Sequence, residues 1–152
     1  MADNMFDDLY NTRILELAAD IPLVGRLKNP RGYSKKRSKL CGSSVSVEVN
    51  TADGRISEFA HEIKACALGQ ASSAIMAKNV MGATITELEL ALFEMQAMLS
   101  GNGSTPTGRF SEAKVLSPVK DFKARHASVM LTFEATLEAA KMAILSKYTH
   151  NT

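Results

Sequence analysis

The chain has 152 residues, enough for one domain with a sizeable core, and its 45 % apolar and 22 % charged residues are ordinary for a globular protein. A net charge of +2 is too small to imply an anionic partner by itself. No apolar run approaches a membrane span, and the acidic residues after Met1 are the opposite of a secretory n-region, so a cytoplasmic protein with reduced thiols is expected.

Taken in chain order, residues 6–19 predict a first helix. Phe6, Leu9, Tyr10, Ile14, Leu17 and Ala18 recur at helical spacing, and Asp3 or Asn4 offers a cap. Pro22 and Gly25 end it. From Arg26 to Lys39 there are seven basic residues and no acidic one, with Pro30, Gly32 and Ser34 among them. That run reads as a loop, either simply solvated or a docking surface for an acidic partner. Only Tyr33 interleaves it as an aromatic, which argues against nucleic acid. Val45, Val47 and Val49 alternate with polar residues and predict a half-buried strand. Asp53-Gly54 predicts a hairpin, and residues 55–64 the return strand. Phe59 and Ile63 share a face with His61 between them, while Ile56 falls opposite, which predicts a bulge near the strand's start.

Residues 66–79 switch to helical spacing, with Leu68, Ala71, Ala74 and Ile75 on one side and Gly82 beyond the end. Thr84 with Glu87 reads as a capping box opening a helix that buries Leu88, Leu92, Met95 and Leu99. Residues 100–108 are rich in Gly, Ser, Thr and Pro and predict a flexible loop. Residues 110–116 fit no pattern. Pro118 and Asp121 offer the start of a long helix over 121–147, with Met130, Phe133, Leu137, Ala140 and Ile144 as its stripe. Residues 149–152 read as a frayed tail. The whole of 1–152 is one domain of α+β class, with no internal repeat.

Three residues are candidates for chemistry. Cys41 stands just before a strand, and Cys66 stands where a strand gives way to a helix. The amides and dipole of a helix N-terminus favour thiolate, the form that binds metal or attacks sulfur. His126, near the start of the last helix, offers an imidazole ligand. Lone cysteines are also often just small buried apolar residues. No phosphate-cradling loop, nucleophile elbow or paired-carboxylate site is present.

These segments resemble the U-type iron–sulfur scaffold family: the IscU and SufU proteins and the N-terminal domain of NifU. Leu9-Tyr10 with Ile14-Leu15 is similar to the family's first helix, and Asn29-Pro30-Arg31-Gly32 to its Asn-Pro-Arg loop. Lys39-Leu40-Cys41-Gly42 matches the first ligand segment, and Ala65-Cys66-Ala67 with Ala71-Ser72-Ser73 the second. Arg125-His126-Ala127 falls where the family has its third cysteine, and the long separation from Cys66 is more similar to SufU than to IscU. The resemblance implies a three-stranded antiparallel sheet flanked by helices. It implies a scaffold or carrier, not an enzyme in its own right, which receives sulfur from a cysteine desulfurase and passes cluster to apo iron–sulfur proteins. The cargo is a transient iron–sulfur cluster, expected to be [2Fe–2S], or a zinc ion. Cys41, Cys66 and His126 are the implied ligands, with either thiol a persulfide acceptor.

The sequence departs from the family at Ala127, where the third cysteine is lost, at Ser43, where an acidic residue is expected, and at Ile63 and Ala65, where glycines are expected. A [2Fe–2S] cluster takes four ligands, and so does structural zinc. The set would be completed by a homodimer sharing Cys41 and Cys66 from each chain, by Glu62 or another nearby side chain, or by an external thiol or water. The alternatives to a scaffold are a zinc-containing sulfur acceptor and a degenerate docking module.

Overall fold

The computed structural model describes the backbone of residues 9–150 and the side chains of residues 9–146. In chain order it contains α1 (Thr12–Ala19), β1 (Gly32–Arg37), β2 (Ser44–Ala52), β3 (Arg55–Lys64), α2 (Ala67–Asn79) and α3 (Ile85–Leu99). Successive 3-10 turns over Gly108–Asp121 and Lys123–Arg125 then lead into α4 (His126–His150). The expected α+β class and antiparallel sheet are present, with strand order β1-β2-β3.

The central hairpin follows its sequence signals. Asp53 and Gly54 take positive φ of 54° and 75°, as a tight two-residue turn requires. The register runs Asn50↔Glu58 and then Thr51↔Ile56, so Ser57 is the extra residue of a bulge. The bulge turns Ile56 back to the buried side with Phe59. Val45, Val47 and Val49 are buried as their alternation predicts.

The basic run needs correction. It is not a continuous loop, because residues 32–37 form the edge strand β1. Tyr33, Lys35 and Arg37 point to solvent, while Gly32 and Ser34 are buried against α4. Close approach of the helix leaves room for small inward residues only, so the strand lacks an apolar stripe. Arg26 pairs with Glu48 and Lys36 with Glu138, which neutralises part of the run.

Helix boundaries shift for local reasons. α1 begins at Thr12, where the Asn11 side chain accepts from the Ile14 amide. The caps expected at Asp3 or Asn4 lie outside the described residues. In α2 the burial is not confined to one side. Residues 68, 69 and 71–77 are all buried, because α1, α4 and the 3-10 turns enclose the helix. Thr84 and Glu87 make both bonds of the capping box. The expected start of the last helix at 121 moves to His126, since 3-10 turns occupy the chain up to Arg125. Met130, Phe133, Leu137 and Ala140 are buried as expected, and Ile144 is half-buried. α4 is continuous to His150, and residues 151–152 lie outside the described residues.

His61 is 1 % exposed on the inner face of β3, with its ring 4.9 Å from that of Phe59. Its Nε2 donates to the Pro22 carbonyl at 2.8 Å, and its Nδ1 is buried without a partner. Burial holds its pKa below the ordinary imidazole value, only partly offset by the Pro22 bond. The unfolded chain therefore takes up a proton that the folded chain resists. This contribution to stability is complete above ~6.5 and is lost as pH falls below it. Urea midpoints are expected to drop between about pH 7.5 and about pH 5.5, and His61→Gln should flatten that interval. A slope that survives the substitution would exclude His61 as its source.

Candidate functional site

The β1–β2 connection is a tight turn. The Ser38 amide donates to the Ser43 carbonyl and the Gly42 amide to the Ser38 carbonyl, both at 2.9 Å. Gly42 takes a φ of 71°, which favours glycine, and its neighbour Cys41 is carried at the tip. Cys66 occupies the N-cap position of α2, with its sulfur beside the amides of the first turn. Both cysteines are free thiols and partly exposed.

The two meet on one open cleft of about 230 Å³, lined by Cys41, Gly42, Ser43, Lys64, Ala65, Cys66 and Arg125. Hydroxyls flank both sulfurs. Cys41 Sγ lies 3.1 Å from Ser43 Oγ, and Cys66 Sγ lies 3.3 Å from Ser128 Oγ. Bonds from Ser38 and Ser43 hold the Cys41 thiol below its ordinary pKa, with Arg125 adding a smaller pull. Burial pushes the Cys66 thiol up. The Ser128 hydroxyl, the Gly69 and Leu68 amides and the Arg125 charge outweigh it, and the net direction is down. The cleft therefore favours two thiolates, the form that binds metal or accepts sulfur.

His126 is not brought to the thiols. Both partners of its Nε2 are carbonyl oxygens, Val119 at 2.9 Å and Lys120 at 3.1 Å, so this nitrogen carries the proton and donates. The ring lines a separate, larger cleft of about 830 Å³ with Leu99, Lys120, Ala127, Met130 and Glu134. Glu62 lines a third, polar cleft with Arg26 and Glu48. Among the described residues no three His, Cys, Asp or Glu side chains gather as a metal site. Of the three candidate ligands, the cleft brings together the two thiols, Cys41 and Cys66.

Sequence reasoning missed Arg125, Ser128 and Gly69. A Cβ on Gly69 would lie 2.7 Å from Ser128 Oγ and 2.6 Å from the Ala65 Cβ. The glycine is therefore what lets α4 bring Ser128 down to Cys66.

No described helix is long and apolar enough to cross a membrane. Residues 9–129 match the model of the NifU-like N terminal domain. The chain is 50 % identical to a crystal structure of a nitrogen-fixing NifU-like protein (N-terminal) from Brucella abortus. The match covers 93 % of this chain and 98 % of that one, with a TM-score of 0.90. It is 23 % identical over 137 residues to the iron–sulfur cluster assembly scaffold protein IscU of Thermotoga maritima, covering 90 % of this chain and 96 % of that protein. A candidate SUF-system scaffold from Fervidobacterium islandicum AW-1 shares the fold at 18 % identity, with a TM-score of 0.76 over 88 % of this chain and 98 % of that one. With a family match over residues 9–129 and a fold shared over 93 % of its length, the chain belongs to the NifU-like N-terminal domain family.

Proposed function

We propose that the chain is an iron–sulfur cluster assembly scaffold, with Cys41 and Cys66 as its cluster ligands. The observation that carries this reading is the open cleft holding two free thiols beside Arg125, in a chain of this family. The cluster is cargo: it must be held firmly enough to form and loosely enough to leave. A pair of thiolates at the surface, short of a full ligand set, suits that requirement. The proposed cargo is [2Fe–2S], and a reducing cytoplasm is the setting that keeps both thiols available. The proposed partners are a cysteine desulfurase as sulfur source and apo iron–sulfur proteins as acceptors.

Anaerobic reconstitution with iron and sulfide, read by visible absorption and metal analysis, tests the reading. Colour with bound iron and sulfide is expected for the parent chain. Cys41→Ser and Cys66→Ser should each retain little. His126 donates from Nε2 to the Val119 and Lys120 carbonyls and lines a different cleft from the two thiols. Accordingly, His126→Ala is expected to keep the cluster and to cost the apo fold about 0.5–1.5 kcal/mol from the lost hydrogen bonds. Loss of cluster in that variant, with the fold intact, would make His126 a ligand. Zinc bound in place of a coloured cluster would favour a sulfur acceptor over a scaffold. A desulfurase with cysteine and a reductant, used in place of sulfide, extends the same assay to the partner.

A further inference from the structure

We propose that the groove between α3 and α4 docks an amphipathic helix of a partner protein, one that carries a lysine or arginine within its apolar stripe to meet Glu134. The groove is separate from the thiol cleft, and its use does not depend on the scaffold reading.

The two helices run antiparallel. The cleft beside His126 has Leu99 of α3 facing Met130 of α4, and further along Glu89 pairs with Lys141. A second cleft of about 310 Å³, with Leu92 and Leu137 on its walls, shares Glu134 with the first. Together they make one groove from Ala127 to Lys141, about 21 Å along α4 at ~1.5 Å per residue. A small molecule would fill only part of that length, whereas a helix of about four turns matches it. Leu92, Leu99, Met130 and Leu137 give the groove an apolar floor. Phe93 stands on the α3 rim, in the helical row between Glu89 and Gln96, and is 67 % exposed. An exposed aromatic beside an apolar groove is the kind of anchor that a partner covers.

Charge specifies the occupant. Glu134 lies where the two clefts meet, half-buried, and its carboxylate makes no hydrogen bond or ion pair among the described residues. Burial pushes its pKa up, and Lys36, already engaged by Glu138, only partly offsets this. A wholly apolar helix would bury this carboxylate further with nothing to pair it, and an acidic one would repel it. A lysine or arginine in the stripe satisfies it with a charge-assisted hydrogen bond. Lys120, Asp121 and Lys123 are exposed at the solvent end, and their net positive charge suits the carbonyl end of the incoming helix. Arg125 and Ser128 serve the thiol cleft from α4, whereas Ala127, Met130 and Glu134 line the groove, so a docked helix leaves Cys41 and Cys66 open.

The test uses the full chain and a series of fluorescein-labelled amphipathic helices of about 18 residues, each with a leucine stripe in which one position is lysine, stepped along the series. Fluorescence anisotropy at low salt is expected to find one that binds at micromolar concentration, with its glutamate-for-lysine counterpart about tenfold weaker or worse. Glu134→Gln should remove that preference and Glu134→Lys should invert it. The peptide exchange is read on the parent chain, so it decides the matter even where a Glu134 variant fails to fold. Phe93→Ser, at an exposed position, should weaken binding about tenfold. Bound peptide should leave iodoacetamide alkylation of Cys66 unchanged. Equal binding of the lysine and glutamate peptides, binding that survives Phe93→Ser, protection of Cys66, or no binding at about 1 mM peptide would each overturn the site. Self-association of the chain that Phe93→Ser abolishes would give the groove to a second copy and overturn the partner helix.

Discussion

Replacing Gly32 by Ala is expected to lower the unfolding free energy by about 3 kcal/mol or more, the upper range for overpacking. A Cβ at this position would lie 1.9 Å from the Ala139 carbonyl oxygen and 2.9 Å from the Ala143 Cβ. Those are overlaps, not tight contacts, and the nearest atom belongs to the backbone of α4. A side chain can swing aside; a helical carbonyl cannot without breaking the helix. β1 would therefore have to lift off α4. The bond from Ser34 Oγ to Glu138 at 3.2 Å and the Lys36–Glu138 pair at 2.6 Å would go with it. For a chain of this size the thermal midpoint should fall by about 6–12 °C. Adding Ala143→Gly should not restore it, because the carbonyl remains. Unchanged stability in Gly32→Ala would mean that strand and helix are not seated this closely.

Gly69→Ala is expected to cost about 1–3 kcal/mol and also to slow alkylation of Cys66 at neutral pH. On helix propensity alone the substitution should gain about 1 kcal/mol, so the sign of the result is decisive. The added methyl would meet Ser128 Oγ at 2.7 Å and the Ser128 carbonyl oxygen at 3.0 Å. Moving Ser128 away removes the hydroxyl 3.3 Å from Cys66 Sγ, one of the groups that hold this thiol below its ordinary pKa. With that bond gone the thiol pKa rises, and less thiolate is present to react. Iodoacetamide kinetics across pH, compared with Ser128→Ala, separate this effect from lost stability. Faster or unchanged alkylation in both variants would remove Ser128 from the site.

Local signals in the sequence proved reliable where one neighbour decides the outcome. The Asp53-Gly54 turn, the misplaced Ile56 and the Thr84–Glu87 box each depend on residues a few positions apart. β1 was hidden because its inward residues are Gly32 and Ser34, sized by a helix more than 100 residues away. The site shows the same division. Cys41 and Cys66 could be picked out from their places before a strand and at a helix start. Arg125 and Ser128 could not, because only the docking of α4 brings them to Cys66. The choice of His126 followed from its adjacency to the missing cysteine. Successive helical residues turn by about 100°, so positions three apart share a face and the next residue along does not. Arg125 and Ser128 accordingly serve the thiols, while His126 turns toward Val119 and Lys120.

The placement of α4 also has a consequence for the order of assembly. β1, β2 and β3 join by short connections and pair with immediate neighbours, so the sheet can form from local encounters soon after it leaves the ribosome. Cys41 and Cys66 lie at or just beyond that early meander. Arg125, on the same cleft, and Ser128, 3.3 Å from Cys66 Sγ, lie some 60 residues beyond Cys66. A nascent chain thus has the Ser38 and Ser43 bonds that lower the Cys41 pKa before Ser128 and Arg125 can reach Cys66. The cleft is complete only when the last helix closes over the sheet, which makes that docking the final step in building it.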